Sequence, residues 1–69
     1  MHFVAKWQLK NGSVHTSHVV DTFQKDAIVR ARAAYEGVPG GIDRAWVEDD
    51  QGTYVCDVSP DGSAFRRDP

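Results

Sequence analysis

Three histidines and one cysteine are the side chains with the chemistry for metal binding or nucleophilic attack in this sequence. His15 and His18 lie three residues apart in a strand-like segment, so they are expected on opposite faces and not around one metal ion. Cys56 and His18 could act as nucleophile and base, but a short chain leaves little room for an orienting group and a substrate pocket. We therefore interpret Cys56 as a core residue and predict no catalytic residue, metal or cofactor.

A second pattern with possible chemistry is the run DVSPDG at positions 57–62, with Asp68 at the twelfth position. The spacing matches the ligands of a calcium loop. The helices that normally flank such a loop are not indicated here, and Pro-Asp-Gly is common in turns. We favour a turn at positions 60–62, whereas a calcium-dependent shift in melting temperature would support an ion site.

The first pair of strands is indicated by Asn11-Gly12 between two alternating segments, a strong signal for a two-residue hairpin turn. Pairing Lys10 with Ser13 around the turn aligns Leu9 with Val14. The alternation then predicts one apolar face, which consists of Phe3, Ala5, Trp7, Leu9, Val14 and Val20.

A helix is predicted over 24–36, capped by Asp21 or Thr22 and ended by Gly37. At helical spacing one stripe of the helix is apolar and rich in alanine. The stripe contains Phe23, Ala27, Ile28, Ala31, Ala34 and Tyr35. Small side chains at these positions allow the helix to lie close to a sheet.

A second hairpin is predicted from strands at 42–49 and 53–59, with Gly52 in a left-handed bulge after a type I turn. Pairing Asp49 with Thr53 aligns Glu48 with Tyr54, Val47 with Val55 and Trp46 with Cys56. Positions 64–66 can add a short fifth strand, and residues 66–69 are predicted to fray.

These elements predict a single α+β domain over 1–69 with a ββαββ(β) layout and a mainly antiparallel sheet in the order 2-1-3-4. One helix can cover only one face of such a sheet. The residues expected under the helix are Phe3, Trp7, Leu9, Val14, Trp46, Tyr54 and Cys56.

The composition restricts the function classes. The 69 residues are 41% hydrophobic and 26% charged with a net charge of -2, which indicates a globular chain and not a dedicated nucleic-acid binder. The start of the sequence does not resemble a signal peptide, and no apolar run approaches the ~18 residues of a membrane helix. With one cysteine and no possible internal disulfide, we predict a cytoplasmic protein without a membrane partner.

Two surfaces are predicted to bind a partner. One is an acidic hairpin tip at Glu48, Asp49 and Asp50, which would pair with basic groups. The other is the helix-free sheet face, where exposed valines such as Val47 and Val55 would be surrounded by polar residues. Those polar residues are Lys6, Gln8, His15 and Asp57.

The whole-chain layout resembles that of small type I anti-CRISPR proteins. The features that carry the resemblance are the turn Asn11-Gly12, the helix 24–36 and the turn Asp61-Gly62. The helix-to-strand joint YEGVPGG at 35–41 is similar to that of small phage inhibitors of bacterial RNA polymerase. The resemblance implies a stoichiometric inhibitor that binds a host nucleoprotein complex without turnover. It assigns no role to any individual residue.

The leading hypothesis is therefore a non-enzymatic protein-binding module that acts as a phage or mobile-element antagonist of a host nucleoprotein complex. One alternative is a nucleic-acid-binding accessory protein that uses scattered basic residues, with steep salt dependence. Those residues are Lys25, Arg30, Arg32, Arg66 and Arg67. A second alternative is a self-associating structural protein, such as a homodimer paired through its sheet.

Overall fold

The computed structural model describes residues 1–67 and shows one helix packed on one antiparallel sheet. The elements are β1 (Phe3–Leu9), β2 (Val14–Asp21), α1 (Gln24–Gly37), β3 (Ile42–Asp49), β4 (Tyr54–Val58) and β5 (Ala64–Phe65). The five strands lie in the order β2-β1-β3-β4-β5. The α+β class, the predicted strand order and the short fifth strand are confirmed.

All three hairpins of the sheet use the same turn. In the first, the N–H of Leu9 donates to the carbonyl of Ser13, and the N–H of Gly12 donates to the carbonyl of Leu9. Asp49–Thr53 and Ser59–Ser63 repeat this pattern. The glycines at positions 12, 52 and 62 have φ of 91°, 81° and 95°, so each closes a type I turn with a left-handed bulge.

The turn between β4 and β3 was predicted correctly, but the one between β1 and β2 was not. Lys10 belongs to the loop and does not pair with Ser13, which shifts the register by one, so that Trp7 lies opposite His15. The side chain of Asn11 explains the difference, because its Oδ1 accepts both the N–H (3.0 Å) and the hydroxyl (2.6 Å) of Ser13.

Three strands also carry irregularities that alternation does not reveal. In β3 Asp43 is an extra residue between the pairs Gln8–Arg44 and Leu9–Ile42. In β2 the three residues 17–19 stand opposite the single residue Ala5. In β4 Val55 is an extra residue between the pairs Glu48–Tyr54 and Val47–Cys56. The predicted pairing of Val47 with Val55 is therefore wrong, and beyond the bulge Trp46 faces Asp57.

The bulge and the pairing of β3 with β1 reverse the predicted faces of β3. Val47 lies opposite Ala5 in β1 and is completely buried on the helix side, although it was predicted on the exposed face. Trp46 pairs with Lys6 and Glu48 pairs with Tyr54, so Trp46 and Tyr54 lie on the helix-free side and not under the helix.

The helix packs through small side chains. Ala27, Ala31 and Ala34 are buried, as the stripe predicted. Opposite them in the core lie Ala5, Ala45, Val47, Cys56 and Val58. The Tyr35 hydroxyl extends the contact by donating to the carbonyl of Val58 at 2.8 Å. Small residues on both sides therefore allow a close approach of helix and sheet.

The start of the helix differs from the predicted cap. The N-cap is Phe23, which makes no side-chain capping bond, and Asp21 instead binds Arg30 through two hydrogen bonds of 2.9 and 3.0 Å. These bonds hold the pKa of Asp21 below its usual value, because they lower the pKa more than burial raises it. Phe23 is 60% exposed, since its extended backbone removes it from the helical stripe.

Candidate functional interface

The helix-free side of the sheet carries a connected group of charged and aromatic side chains, here called the outer face. Its members come from β1, β3, β4 and the two residues that follow β5. They are Lys6, Arg44, Trp46, Glu48, Tyr54, Asp57, Arg66 and Arg67. Direct pairing across the strands places β1, β3 and β4 members on the same side.

Asp57 is the centre of the outer face and is only 1% exposed. Arg44 binds its carboxylate through two hydrogen bonds, Nη2 to Oδ1 at 2.7 Å and Nε to Oδ2 at 3.1 Å. The hydroxyl of Tyr54 donates to Oδ1 at 2.7 Å, and Arg67 approaches Oδ2 at 3.4 Å. A buried carboxylate is stable only with such partners, so Asp57 fixes all three side chains in place.

The ionisation of Asp57 reflects the same contacts. Burial is the largest single influence and opposes the charged form. The hydrogen bonds from Tyr54 and Arg44, with the charges of Arg44 and Arg67, outweigh it and hold the pKa of Asp57 below its usual value. For Tyr54, burial first and then the neighbouring Asp57 carboxylate raise the pKa of the phenol. The pair is therefore a phenol and an ionised carboxylate at neutral pH.

A second branch of the outer face extends from Arg44 toward β1. The Arg44 guanidinium lies 4.5 Å from the centre of the Trp46 ring, a cation–π contact. The indole N–H of Trp46 donates to Glu48 Oε2 at 2.8 Å, and the other oxygen of Glu48 lies 3.2 Å from Lys6 Nζ. Trp46 is thus buried by polar neighbours although the helix does not cover it.

The residues after β5 complete the outer face. The Arg66 guanidinium lies 5.8 Å from the centre of the Tyr54 ring, and the backbone N–H of Arg67 donates to the Tyr54 hydroxyl at 3.0 Å. Arg66 and Arg67, which the sequence placed in a frayed tail, therefore contact β4. The rest of that predicted tail, residues 68–69, lies outside the described residues.

Exposed apolar side chains flank this network at both ends. Val14 and Val20 in β2 are more than half exposed, and they lie on the same side as Lys6 because their partners in β1 are Gln8 and Val4. At the other end Phe65 pairs with Asp57 and is 44% exposed.

The structure brings together only some of the predicted partner-binding residues. Lys6 and Glu48 belong to the outer face, and Gln8 lies beside it on the same side of the sheet, where it pairs with Arg44. His15 is exposed but pairs with Trp7 on the helix side, so its predicted position beside Lys6 and Gln8 is wrong by the one-residue register shift.

The two predicted valines do not form an exposed strip. Val47 is buried in the core, and the bulge residue Val55 is half-buried and packs against the core.

The acidic hairpin tip is mostly engaged within the chain. Glu48 binds Trp46 and Lys6, while Asp49 Oδ1 accepts the N–H groups of Gln51 and Thr53 at 2.8 and 2.9 Å. Asp50 lies 3.7 Å from His2 with its side chain 43% exposed. The three carboxylates therefore do not form one free acidic patch.

The basic residues of the nucleic-acid hypothesis do not form one patch either. Arg30 binds Asp21, and Arg32 donates to the carbonyl of Pro60 at 3.1 Å. Lys25 lies 5.9 Å from the ring centre of Phe23. Only Arg66 and Arg67 of this set belong to the outer face.

The candidate metal and nucleophile residues have structural roles. Asp57 is held by Arg44, and Asp61 Oδ1 accepts the N–H of Ser63 at 2.9 Å, so positions 57–63 form a hairpin arm and turn. Asp68 of the calcium pattern lies outside the described residues. Within residues 1–67 no three His, Cys, Asp or Glu side chains converge as metal ligands. Cys56 lies in the core, as predicted, and burial raises the pKa of its thiol.

Three central residues of the outer face were missed as site residues: Arg44, Trp46 and Tyr54. Asp57 was predicted beside the exposed valines on the helix-free side, but not as the centre of a network. A usable signal was present, because the alanine stripe of the helix demands small residues opposite it. In β3, Ala45 and Val47 alternate with Arg44 and Trp46. The helix has small residues opposite it only if Ala45 and Val47 are the ones that face it.

Comparison with protein-family models finds no match, and neither do searches of curated proteins and of solved structures. In the described part of the chain, the helix is too short and too polar to cross a membrane.

Proposed function

We propose that this protein is a non-enzymatic binding module that engages a partner protein through the outer face. The observation that carries the proposal is the array of Arg44, Trp46 and Tyr54 held in fixed positions around the buried Asp57. Exposed Val14, Val20 and Phe65 extend the same surface with apolar area.

The residue types of this surface favour protein recognition. Arginine, tryptophan and tyrosine are the residues most enriched among those that dominate binding energy at protein interfaces. Side chains that are already ordered lose less conformational freedom on binding, so more of the contact energy contributes to affinity. The hydrogen bonds to Asp57 and Glu48 supply that order before any partner arrives.

The identity of the partner rests on the resemblance and not on geometry. The layout similarity to small phage-encoded inhibitors supports a host nucleoprotein complex as target, blocked by occupancy. The cytoplasm is the proposed compartment, supported by the free thiol of Cys56. The mechanism differs from the sequence-based one, because Glu48 and Asp49 are engaged internally and the outer face replaces the acidic tip as the contact surface.

The test is capture of partners from a nuclease-treated bacterial lysate with two matched double variants. Phe65→Asp with Arg66→Glu changes an exposed aromatic residue and an adjacent cation on the outer face. Phe23→Asp with Lys25→Glu makes the same chemical change beside the helix, away from the outer face.

We expect a stoichiometric partner to be retained by the wild type and by the helix variant and lost by the outer-face variant. Circular dichroism of both variants confirms that each is folded. A partner retained equally by both variants, or lost only with the helix variant, would show that the outer face is not the binding surface.

A further inference from the structure

We infer that the partner presents an acidic protein segment to the outer face, an inference that rests on the function proposed above. The outer face contains four cations, Lys6, Arg44, Arg66 and Arg67, and two carboxylates, Glu48 and Asp57. It therefore carries a surplus of two positive charges in a chain whose net charge is -2. Positive charge is thus concentrated on the outer face, although the molecule as a whole is negatively charged.

The carboxylates of the outer face are more deeply buried than its cations, which increases the positive surplus at the surface. The carboxylate side chains are the less exposed members, at 18% for Glu48 and 2% for Asp57. The cations lie above them, with side-chain exposures of 28% for Lys6, 32% for Arg44 and 55% for Arg67. A partner approaching from solvent therefore meets ammonium and guanidinium groups first.

The rest of residues 1–67 offers no comparable surface. The cations of the helix, Lys25, Arg30 and Arg32, are matched in number by Asp21, Asp26 and Glu36 on or beside it. The loops and the two ends of β3 are acidic, with Lys10 as their cation against a larger set of carboxylates. That set is Asp43, Asp49, Asp50 and Asp61.

The cations of the outer face also retain donors for new hydrogen bonds. Arg44 uses Nε and Nη2 for Asp57, and among the described residues its Nη1 makes no hydrogen bond. Lys6 makes one ion pair with Glu48, although an ammonium has three donors. Arg66 is an exposed residue whose guanidinium lies 5.8 Å from the centre of the Tyr54 ring. Carboxylates match these donors in charge and in geometry.

An acidic protein segment fits the surface better than a nucleic acid. Single-stranded nucleic acids bind by stacking bases on open aromatic faces, but Arg44 covers Trp46 and Arg66 lies over Tyr54. The exposed Val14 and Val20 suit aliphatic side chains rather than phosphates. The predicted ligand is thus an Asp- and Glu-rich segment with apolar residues at its ends.

The experiment selects linear peptides from a random display library against the immobilised protein. Selected peptides and an oligothymidylate of equal length are then measured by fluorescence anisotropy at low and at physiological salt. The protein is used as wild type, as Arg66→Glu, as the conservative Arg66→Lys, and as Lys25→Glu beside the helix.

We expect the selected peptides to be enriched in Asp and Glu and to bind more weakly as salt rises. Arg66→Glu should weaken them about tenfold. Arg66→Lys should retain most of the binding, and Lys25→Glu should leave it unchanged.

The contradicting outcomes separate the two proposals. Peptides that need Arg66 but lack acidic residues would overturn the acidic partner and leave the protein-binding function standing. Oligothymidylate that binds more tightly than the peptides, with the same dependence on Arg66, would overturn the inference in favour of a nucleic acid. Peptides that bind regardless of Arg66, or a library that yields no binder, would overturn both the inference and the proposed function.

Discussion

The two sides of the sheet are built from opposite kinds of contact. On the helix side, alanines of α1 meet Ala5, Ala45 and Val47, all three of which are fully buried. On the outer face, a carboxylate that is almost as well buried is surrounded by a phenol and two guanidinium groups. One side excludes water by close packing and the other by a polar network.

This difference separates stability from recognition. Apolar packing is non-directional and holds the helix against the sheet without fixing any polar group. Hydrogen bonds to Asp57 and Glu48 are directional and fix Arg44, Trp46 and Tyr54 in defined positions. A small protein can therefore use one side of a sheet to fold and keep the other ordered for binding.

The largest expected effect comes from breaking the polar centre on one side only. Arg44→Leu leaves the buried Asp57 carboxylate without its main partner and should lower the free energy of unfolding by about 3 kcal/mol. Arg44→Leu combined with Asp57→Leu removes both charges and should recover most of that loss. Urea unfolding measures both variants, and a double variant as unstable as the single one would contradict the account.

On the helix side, stability should depend on how much space the side chains between helix and sheet occupy. Ala31→Leu inserts a larger side chain where Ala31 is fully buried and should destabilise the protein by about 2 kcal/mol. Val29→Leu on the same helix is the control, because Val29 is 66% exposed and a surface change there should be within about 0.5 kcal/mol. Equal melting temperatures for the two variants would show that the helix does not pack closely.

These two sides were not equally predictable from sequence. The alternation, the alanine stripe and the helix limits predicted the elements, because these depend on local patterns. The strand order followed from placing β3 beside β1 in a sheet that one helix covers on one face. The side on which each residue lies depends on single insertions, such as Lys10 in the loop and Val55 in the bulge. The extra residue Val55 places Val47, and not Trp46, opposite the core residue Cys56, so the predicted sides of Trp46 and Val47 were exchanged.

Acid should weaken the outer face through Asp57. Its pKa in the folded state lies below the value of about 3.9 for an unfolded Asp, so its stabilisation is fully present above about pH 5 and is lost as the pH falls. Asp21, which Arg30 holds ionised, contributes in the same direction. The melting temperature should therefore fall from pH 6 toward pH 2, and less steeply in Asp57→Asn. If the melting temperature falls equally steeply with pH in wild type and Asp57→Asn, Asp57 does not contribute to the loss of stability in acid.

The smallest effects are expected at single lysines. Lys6→Ala removes a partly buried pair with Glu48 at 3.2 Å and should reduce stability by about 0.5–1 kcal/mol. Lys10→Ala removes a pair with Asp43 at 3.3 Å whose side chains are 64% and 48% exposed, with an expected loss of at most about 0.3 kcal/mol. Chemical unfolding of the two variants ranks them, and the reverse order would contradict the outer face as a connected network.

If the outer face contacts the partner and the helix side does not, the two tryptophans provide a reporter for each side. Trp46 donates its indole N–H to Glu48 on the outer face, whereas Trp7 packs against the core on the helix side. The decisive measurement is an NMR titration of the ¹⁵N-labelled indoles with a selected peptide or the captured partner. The account predicts that the Trp46 signal shifts while the Trp7 signal stays in place. A shift of Trp7 with Trp46 unchanged would contradict it.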